Sequence, residues 1–179
     1  TSGQVINAVS DIQYNEKGQQ QHITHGNGTV SRYHYCPQTY RLIQLKTQRS
    51  LSSIHSTTQS LPSQPSGGSE QKTLQNLYYT YDAVGNISEI LDDAYEPVFF
   101  NNQQVEPRSQ YRYDALYRLV EAKGREHHKA SMPSAKEGAP ASVSWPTTDK
   151  TLRNYTQHYH YDAVGNILIM QHQANPTGW

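Results

Sequence analysis

The heptapeptide Tyr-Asp-Ala-Val-Gly-Asn-Ile occurs twice without change, at Tyr81–Ile87 and at Tyr161–Ile167. A near-copy, Tyr113-Asp114-Ala115-Leu116-Tyr117-Arg118-Leu119, lies between them. Seven identical residues do not recur by accident in a chain of 179, so the chain is assembled from a repeated unit. Such repetition constrains architecture before any single residue does. A unit that recurs spreads its chemistry along a surface instead of gathering it into one site.

Each copy reads as a β-hairpin. Before the turn, tyrosines alternate with other residues in Tyr79-Thr80-Tyr81, Tyr111-Arg112-Tyr113 and Tyr159-His160-Tyr161. In a strand, residues i and i+2 share a face, so each tyrosine pair points the same way. Asp82, Asp114 and Asp162 suit the first turn position, where a carboxylate accepts main-chain N–H bonds. Gly85 and Gly165 suit the left-handed position that follows, where a Cβ clashes. This is a type I turn with a G1 bulge. Asn86 and Asn166 help to close it, and Ile87 and Leu119 begin the return strands. Tyr117 stands where the other two copies have glycine, which predicts a turn of different shape.

Two weaker copies lie upstream. Tyr14-Asn15-Glu16-Lys17-Gly18-Gln19 keeps the tyrosine, the small polar residue and the glycine at the same offsets. His34-Tyr35-Cys36-Pro37-Gln38-Thr39-Tyr40-Arg41-Leu42, entered from Tyr33, keeps Tyr-x-Tyr and Arg-Leu with one residue inserted in the turn. The lead tyrosines Tyr14, Tyr35, Tyr81, Tyr113 and Tyr161 are separated by 21, 46, 32 and 48 residues. The hairpins are regular and the connections between them are not.

Composition agrees with a strand-rich wall. The 14 tyrosines against 2 phenylalanines suit half-buried β-faces whose hydroxyls reach a polar partner. Only 34% of residues are hydrophobic, and mean hydropathy is −0.85. The core is therefore expected to be thin, and the ends of the array to need flanking strands. The chain opens on Thr1 without a signal peptide or transmembrane run, and reads as a single segment, 1–179, of something larger. Residues of about 50–76 and 127–150, rich in Ser, Gln, Thr, Pro and Ala, read as long irregular loops. A short helical turn is expected around Asn101–Pro107.

Charge excludes further classes. Fifteen basic and fifteen acidic residues balance, and without a basic stripe no nucleic-acid partner is expected. The absence of an amphipathic basic helix argues against direct membrane insertion. A single cysteine, Cys36, rules out an internal disulfide framework.

Four chemical readings compete with structural ones. His158 and His160, with His127 or His128 as a third ligand, could hold zinc, but no Cys, Asp or Glu lies at a diagnostic offset. Cys36 with His34 could form a nucleophile–base pair, yet Cys36 stands in the slot that Asp114 and Asp162 fill elsewhere, and nothing in the sequence depresses its pKa. The turn aspartates supply too few oxygens for calcium, and Asp92-Asp93 simply ends a strand. No catalytic residue, cofactor or metal is expected. Stacked tyrosine faces could bind sugars, an alternative in which the chain is a carbohydrate-binding or cell-surface recognition module, although such ladders also stabilise a sheet.

The motif Tyr-Asp-x-x-Gly-Asn-Ile resembles the YD repeat of the Rhs family, large bacterial proteins with teneurin relatives. Phe99-Phe100-Asn101-Asn102-Gln103-Gln104-Val105-Glu106-Pro107, with Gln110–Ala122, Gly124–His127 and His34–Leu42, is most similar to the B component (SpvB/TcB-type) of bacterial insecticidal Tc toxin complexes. The resemblance implies an all-β fold of repeated antiparallel hairpins forming part of a large curved shell. It implies a secreted structural segment that encloses a toxin polypeptide. Its partners would be neighbouring repeats of the same parent chain and a C-type toxin component. The self-cleaving aspartyl protease and the propeller of that family have no counterpart among these residues.

Overall fold

The computed structural model describes residues 7–50, 71–127 and 151–174. Among these, no helix is long and apolar enough to cross a membrane. The structure is all-β, with antiparallel strands that divide into two units. The parts of the expected loops at 51–70 and 128–150 lie outside the described residues. The edges of both expectations need correction, because 71–76 belongs to a strand and His127 ends another.

The first unit runs through Tyr79 and includes Asp92–Ala94. Its strands β1 (Val9–Tyr14), β2 (Gln20–His25), β3 (Thr29–Tyr35), β4 (Leu42–Ser50) and β5 (Gln71–Tyr81) bond in chain order. Its buried residues are mostly polar. Ile23 is buried, and so are Thr29, Ser31 and Asn76. Burial of such groups is tolerable only when they are hydrogen-bonded; Thr29 bonds the Asn27 side chain through both its amide and its hydroxyl, while Ser31 and Asn76 join a cross-strand ladder. The hydroxyls of Ser31 and Thr47 are 2.9 Å apart, Gln75 Nε2 donates to Thr47 at 3.2 Å, and Gln44 Nε2 donates to Asn76 Oδ1 at 2.7 Å. The Asn76 side chain donates to Asp93 at 3.0 Å, and Asp92 Oδ1 accepts the Asn76 amide at 2.8 Å. The aspartate pair thus ties off a strand end.

The second unit holds Thr80–Leu91 and the described residues from Tyr95 onward. Strands β6 (Ile87–Asp92), β9 (Arg108–Tyr113), β10 (Leu119–His127), β11 (Leu152–Tyr161) and β12 (Ile167–Ala174) pair in that order. Between β6 and β9 a separate hairpin, β7 (Val98–Phe100) and β8 (Gln103–Val105), packs on β11. It replaces the expected helical turn. Asn101 and Asn102 have φ of 49° and 60°, a pair of left-handed residues that makes a two-residue hairpin turn and cannot sit in a right-handed helix. Val105 is fully buried beneath it, and Asn154 Nδ2 donates to the Gln104 carbonyl at 3.1 Å.

On β10, Gly124 pairs with Tyr155, and a Cβ there would meet the phenol oxygen at 2.9 Å. The ring of Tyr155, stacked on His172 with centroids 5.3 Å apart, covers the bare glycine. Ile23, Val105 and Ala122 are the only buried hydrophobic residues among those described. The core is as thin as the composition predicts.

Candidate functional site

The tyrosine pairs lie as their alternation requires. Tyr79, Tyr81, Tyr111, Tyr113, Tyr159 and Tyr161 are half-buried, whereas the residues between them, Thr80, Arg112 and His160, are exposed. The five turns then close with one pattern. The Asp82 amide donates to the Asn86 carbonyl at 2.9 Å, and the Gly85 amide to the Asp82 carbonyl at 3.2 Å. Asp114 with Arg118 and Tyr117 repeats this at 2.9 and 3.0 Å, and Asp162 with Asn166 and Gly165 at 3.0 and 3.2 Å. Asn15 closes the first turn on Gln19 and Gly18. Cys36 closes the second on Arg41 and Tyr40, one residue further on, which is where the inserted residue goes.

Each carboxylate fills its turn. Asp82 Oδ1 accepts the amides of Val84, Gly85 and Asn86 at 3.1, 2.7 and 2.8 Å, and Oδ2 accepts the Asn86 side-chain amide at 2.9 Å. Asp162 accepts Val164, Asn166 and the Asn166 side chain at 3.0, 2.8 and 2.8 Å. Asp114 takes the amides of Leu116 and Arg118, and a charged bond from Arg118 Nε at 2.7 Å. All three carboxyls sit below the ordinary carboxylate range. At Asp82 partial burial works upward, but the Asn86 side chain and the main-chain amides of Gly85, Asn86 and Val84 outweigh it. At Asp114 the Arg118 amide leads, and at Asp162 the Asn166 side-chain amide.

The expectation of a differently shaped turn at Tyr117 is wrong. Its φ is +62°, and Tyr40 likewise has +57°, beside glycines at +76° (Gly18), +113° (Gly85) and +98° (Gly165). A non-glycine residue in this region costs about 1–2 kcal/mol, and side-chain bonds compensate. Arg118 holds Asp114 and also reaches the next turn, where Nη1 donates to the Asp162 carbonyl at 3.2 Å and the guanidinium lies 4.9 Å from the Tyr161 ring.

A second regularity escaped sequence reading. The hydroxyl of Tyr35 donates to the Gln20 carbonyl at 2.9 Å, that of Tyr113 to Ile87 at 3.0 Å, and that of Tyr161 to Leu119 at 2.7 Å. Each acceptor is the first residue of the preceding return strand. The hairpin register shifts by one residue at its foot, between Gln13 and Tyr14, His34 and Tyr35, Leu119 and Glu121, and His160 and Tyr161. Such a bulge disrupts the local ladder, and Tyr35 and Tyr161 bond the carbonyls beside the bulges of the hairpins before them. Burial, with smaller effects from Tyr33 at Tyr35 and from Tyr111 and Asp82 at Tyr113, raises the pKa of both phenols, so these hydroxyls keep the proton they donate. The only hint in the sequence is the constant offset from tyrosine to return strand.

The other candidates are placed as follows. The Cys36 thiol lies below its ordinary value, contrary to the sequence reading, because the Thr39 hydroxyl and the amides of Thr39 and Gln38 bond it, with Arg41 nearby. That is the cradle that holds aspartate elsewhere, and His34 takes no part in it. His158 Nδ1 lies 3.8 Å from Glu121, and His160 is exposed. His127 bonds the Thr151 hydroxyl, and His128 lies outside the described residues. Among the described residues no group of three or more His, Cys, Asp or Glu gathers to hold a metal. The aliphatic turn tips Val84, Leu116 and Val164 are 56, 68 and 83% exposed, a feature visible in the repeat but not singled out from it.

These turns and clamps define a repeat of tyrosine-led hairpins, each closed by its own carboxylate or a substitute for it. The chain is 38% identical over 175 residues to toxin subunit YenC2 of Yersinia entomophaga, covering 98% of this chain and 16% of that protein. It is 36% identical over 173 residues to toxin subunit YenC1 of the same organism, covering 96% and 16%. The chain is therefore homologous to toxin subunits, and spans 16% of the length of each of these relatives. Both relatives bear the letter C, and the particular likeness to a B component finds no support in them. No protein-family model matches the chain.

Proposed function

We propose that this chain is a structural segment of an Rhs-repeat shell in a secreted, insecticidal Tc-type toxin. It is non-enzymatic, and the shell encloses the toxic polypeptide. The observation that carries the reading is the recurring turn with its tyrosine clamp. It engages the recurring aspartates and three lead tyrosines in holding one hairpin to the next. Relatives named YenC favour a C-type parent. The complementary shell component would then be of the B type, in place of the C-type partner that the residue resemblance implied.

The test uses the intact parent subunit with its partner component. Replacing Tyr113 and Tyr161 together by Ala should open the wall, so that an added protease digests the enclosed polypeptide faster than in the wild type. Equal digestion of both would sink the shell reading. Sugar binding is the weaker alternative, because the clamp hydroxyls of Tyr35, Tyr113 and Tyr161 are already bonded to carbonyls. A glycan array with signal lost in a Tyr33→Ala variant would favour it instead.

A further inference from the structure

The turn between β2 and β3 follows the plan of the tyrosine-led turns without their tyrosine. The Gly28 amide donates to the His25 carbonyl at 3.0 Å, as the Gly85 amide donates to the Asp82 carbonyl at 3.2 Å. Gly28 has φ of +79°, beside +113° for Gly85. Asn27 therefore holds the tip position that Lys17, Val84 and Val164 hold in the glycine-containing copies, and it is exposed. Of these tip residues it alone carries a side-chain amide. Asn27-Gly28 is also the only Asn-Gly pair in the chain.

Such a pair can react with itself. The backbone nitrogen of the following residue attacks the side-chain carbonyl carbon, and glycine has no Cβ to block the approach. Every other asparagine of the chain is followed by a residue that has one. The side chain is also held in place for it. Asn27 Oδ1 accepts the Thr29 amide at 3.0 Å and the Thr29 hydroxyl at 2.7 Å, and these bonds fold the carboxamide forward over the Gly28 peptide. The Gly28 N–H must first release the His25 carbonyl, so the reaction runs through a brief opening of an exposed turn.

We propose that Asn27 is a site of spontaneous deamidation, with water as the co-reactant. The Gly28 nitrogen bonds to Asn27 Cγ, the Cγ–Nδ2 bond breaks, and Nδ2 leaves as ammonia with the proton that Gly28 gives up. Water then opens the resulting succinimide at either carbonyl. Opening at Cγ leaves aspartate. Opening at the main-chain carbonyl leaves isoaspartate, whose backbone runs through Cγ and is a methylene longer. The turn receives these products differently. Aspartate keeps an oxygen for both Thr29 donors. Isoaspartate lengthens the chain inside a tight turn and moves the carboxylate onto Cα, so Thr29, only 6% exposed, loses its partner while buried, which is costly. The strands loosened are β2 and β3, which meet at His22 and Arg32, Ile23 and Ser31, and Thr24 and Val30. None of this depends on what the parent protein encloses.

Incubation of the whole chain at mildly alkaline pH, followed by peptide mass spectrometry and isoaspartyl methyltransferase labelling, tests the proposal. We expect the mass gain of an amide-to-acid conversion at Asn27 before any other asparagine, with aspartate and isoaspartate both present. Gly28→Ala should abolish detectable conversion at Asn27 over the same period. Because an alanine at positive φ strains the turn, Asn27→Gln, which leaves Gly28 in place, serves as a second variant and should also remain unconverted. Asn27→Asp should melt with the fresh wild type, whereas aged chain enriched in isoaspartate should melt several degrees lower. An aged chain in which Asn27 stays intact, conversion that persists unchanged in Gly28→Ala, or an isoaspartyl form that melts with fresh protein overturns the proposal.

Discussion

The turns at Asp82–Asn86 and Asp114–Arg118 share two main-chain bonds and a carboxylate acceptor, yet differ in chemistry. In the first, Gly85 takes the left-handed position without strain and Asn86 bonds back to Asp82. In the second, Tyr117 adopts the same conformation against its preference, and Arg118 binds both Asp114 and the carbonyl of Asp162. Tyr40 and Arg41 repeat the Tyr-Arg pairing, and Tyr40 is likewise held sideways. Gln19 Nε2 donates to its carbonyl at 2.8 Å, and the Lys17 ammonium lies 3.0 Å from its ring centroid. A Gly-Asn turn closes on itself. A Tyr-Arg turn accepts local strain and bonds to a neighbouring hairpin.

The largest way to break this comparison is Asp114→Ala. It removes the acceptor of two amides and frees the arginine that links two turns. We predict that its melting temperature falls by several degrees, and further than that of Asp82→Ala. An equal loss in the two variants would show that the sideways bond contributes nothing. Gly165→Ala comes next. A Cβ there meets no atom within 4 Å, so only the φ of +98° opposes it. The expected cost is about 1–2 kcal/mol, at about 2–4 °C of melting temperature per kcal/mol for a chain of this size. Tyr117→Gly should recover part of that strain.

Acid sharpens the comparison further. The turn carboxyls have folded pKa values below their unfolded ones. Their stabilisation is therefore fully present above the ordinary aspartate pKa of about 3.9 and fades as pH falls through the lower folded values. Thermal melts between neutral and acid pH should show this decline. It should be shallower in Asp82→Asn, which copies the first turn, where Asn15 Oδ1 accepts two amides at 2.9 Å and Nδ2 donates to Gln19. A variant that declines as steeply as the wild type would remove Asp82 from the account. The smallest effect is that of Tyr161→Phe. Losing its bond to Leu119 should cost about 0.5–1.5 kcal/mol, while Tyr117→Phe should cost nothing measurable.

Much of this was legible from local rules. The Tyr-x-Tyr alternation, the aspartate turn and the extra residue after Cys36 depend on chemistry within a few positions, and all were readable. What failed depended on conformations that several residue types can reach. Asn101-Asn102 looked helical and proved a left-handed pair, because asparagine tolerates positive φ. Tyr117 was expected to reshape its turn, yet tertiary bonds through Arg118 held the common shape. The depressed Cys36 thiol was missed because its cause is an amide cradle built by the fold, and the clamps because a tyrosine-to-carbonyl bond across 15 to 42 residues leaves almost no mark on sequence.

The bulge at the foot of the hairpins led by Tyr14, Tyr35, Tyr113 and Tyr161 has a consequence for how such a chain tolerates change. Because Tyr35, Tyr113 and Tyr161 each align to a carbonyl of the hairpin before them, position is measured afresh at every step. Errors of alignment cannot accumulate along the array. A strand that slipped by one residue would strand a phenol and a carbonyl together, and be corrected locally. The far ends of the hairpins are left free to lengthen, which is where the spacing between lead tyrosines varies from 21 to 48 residues.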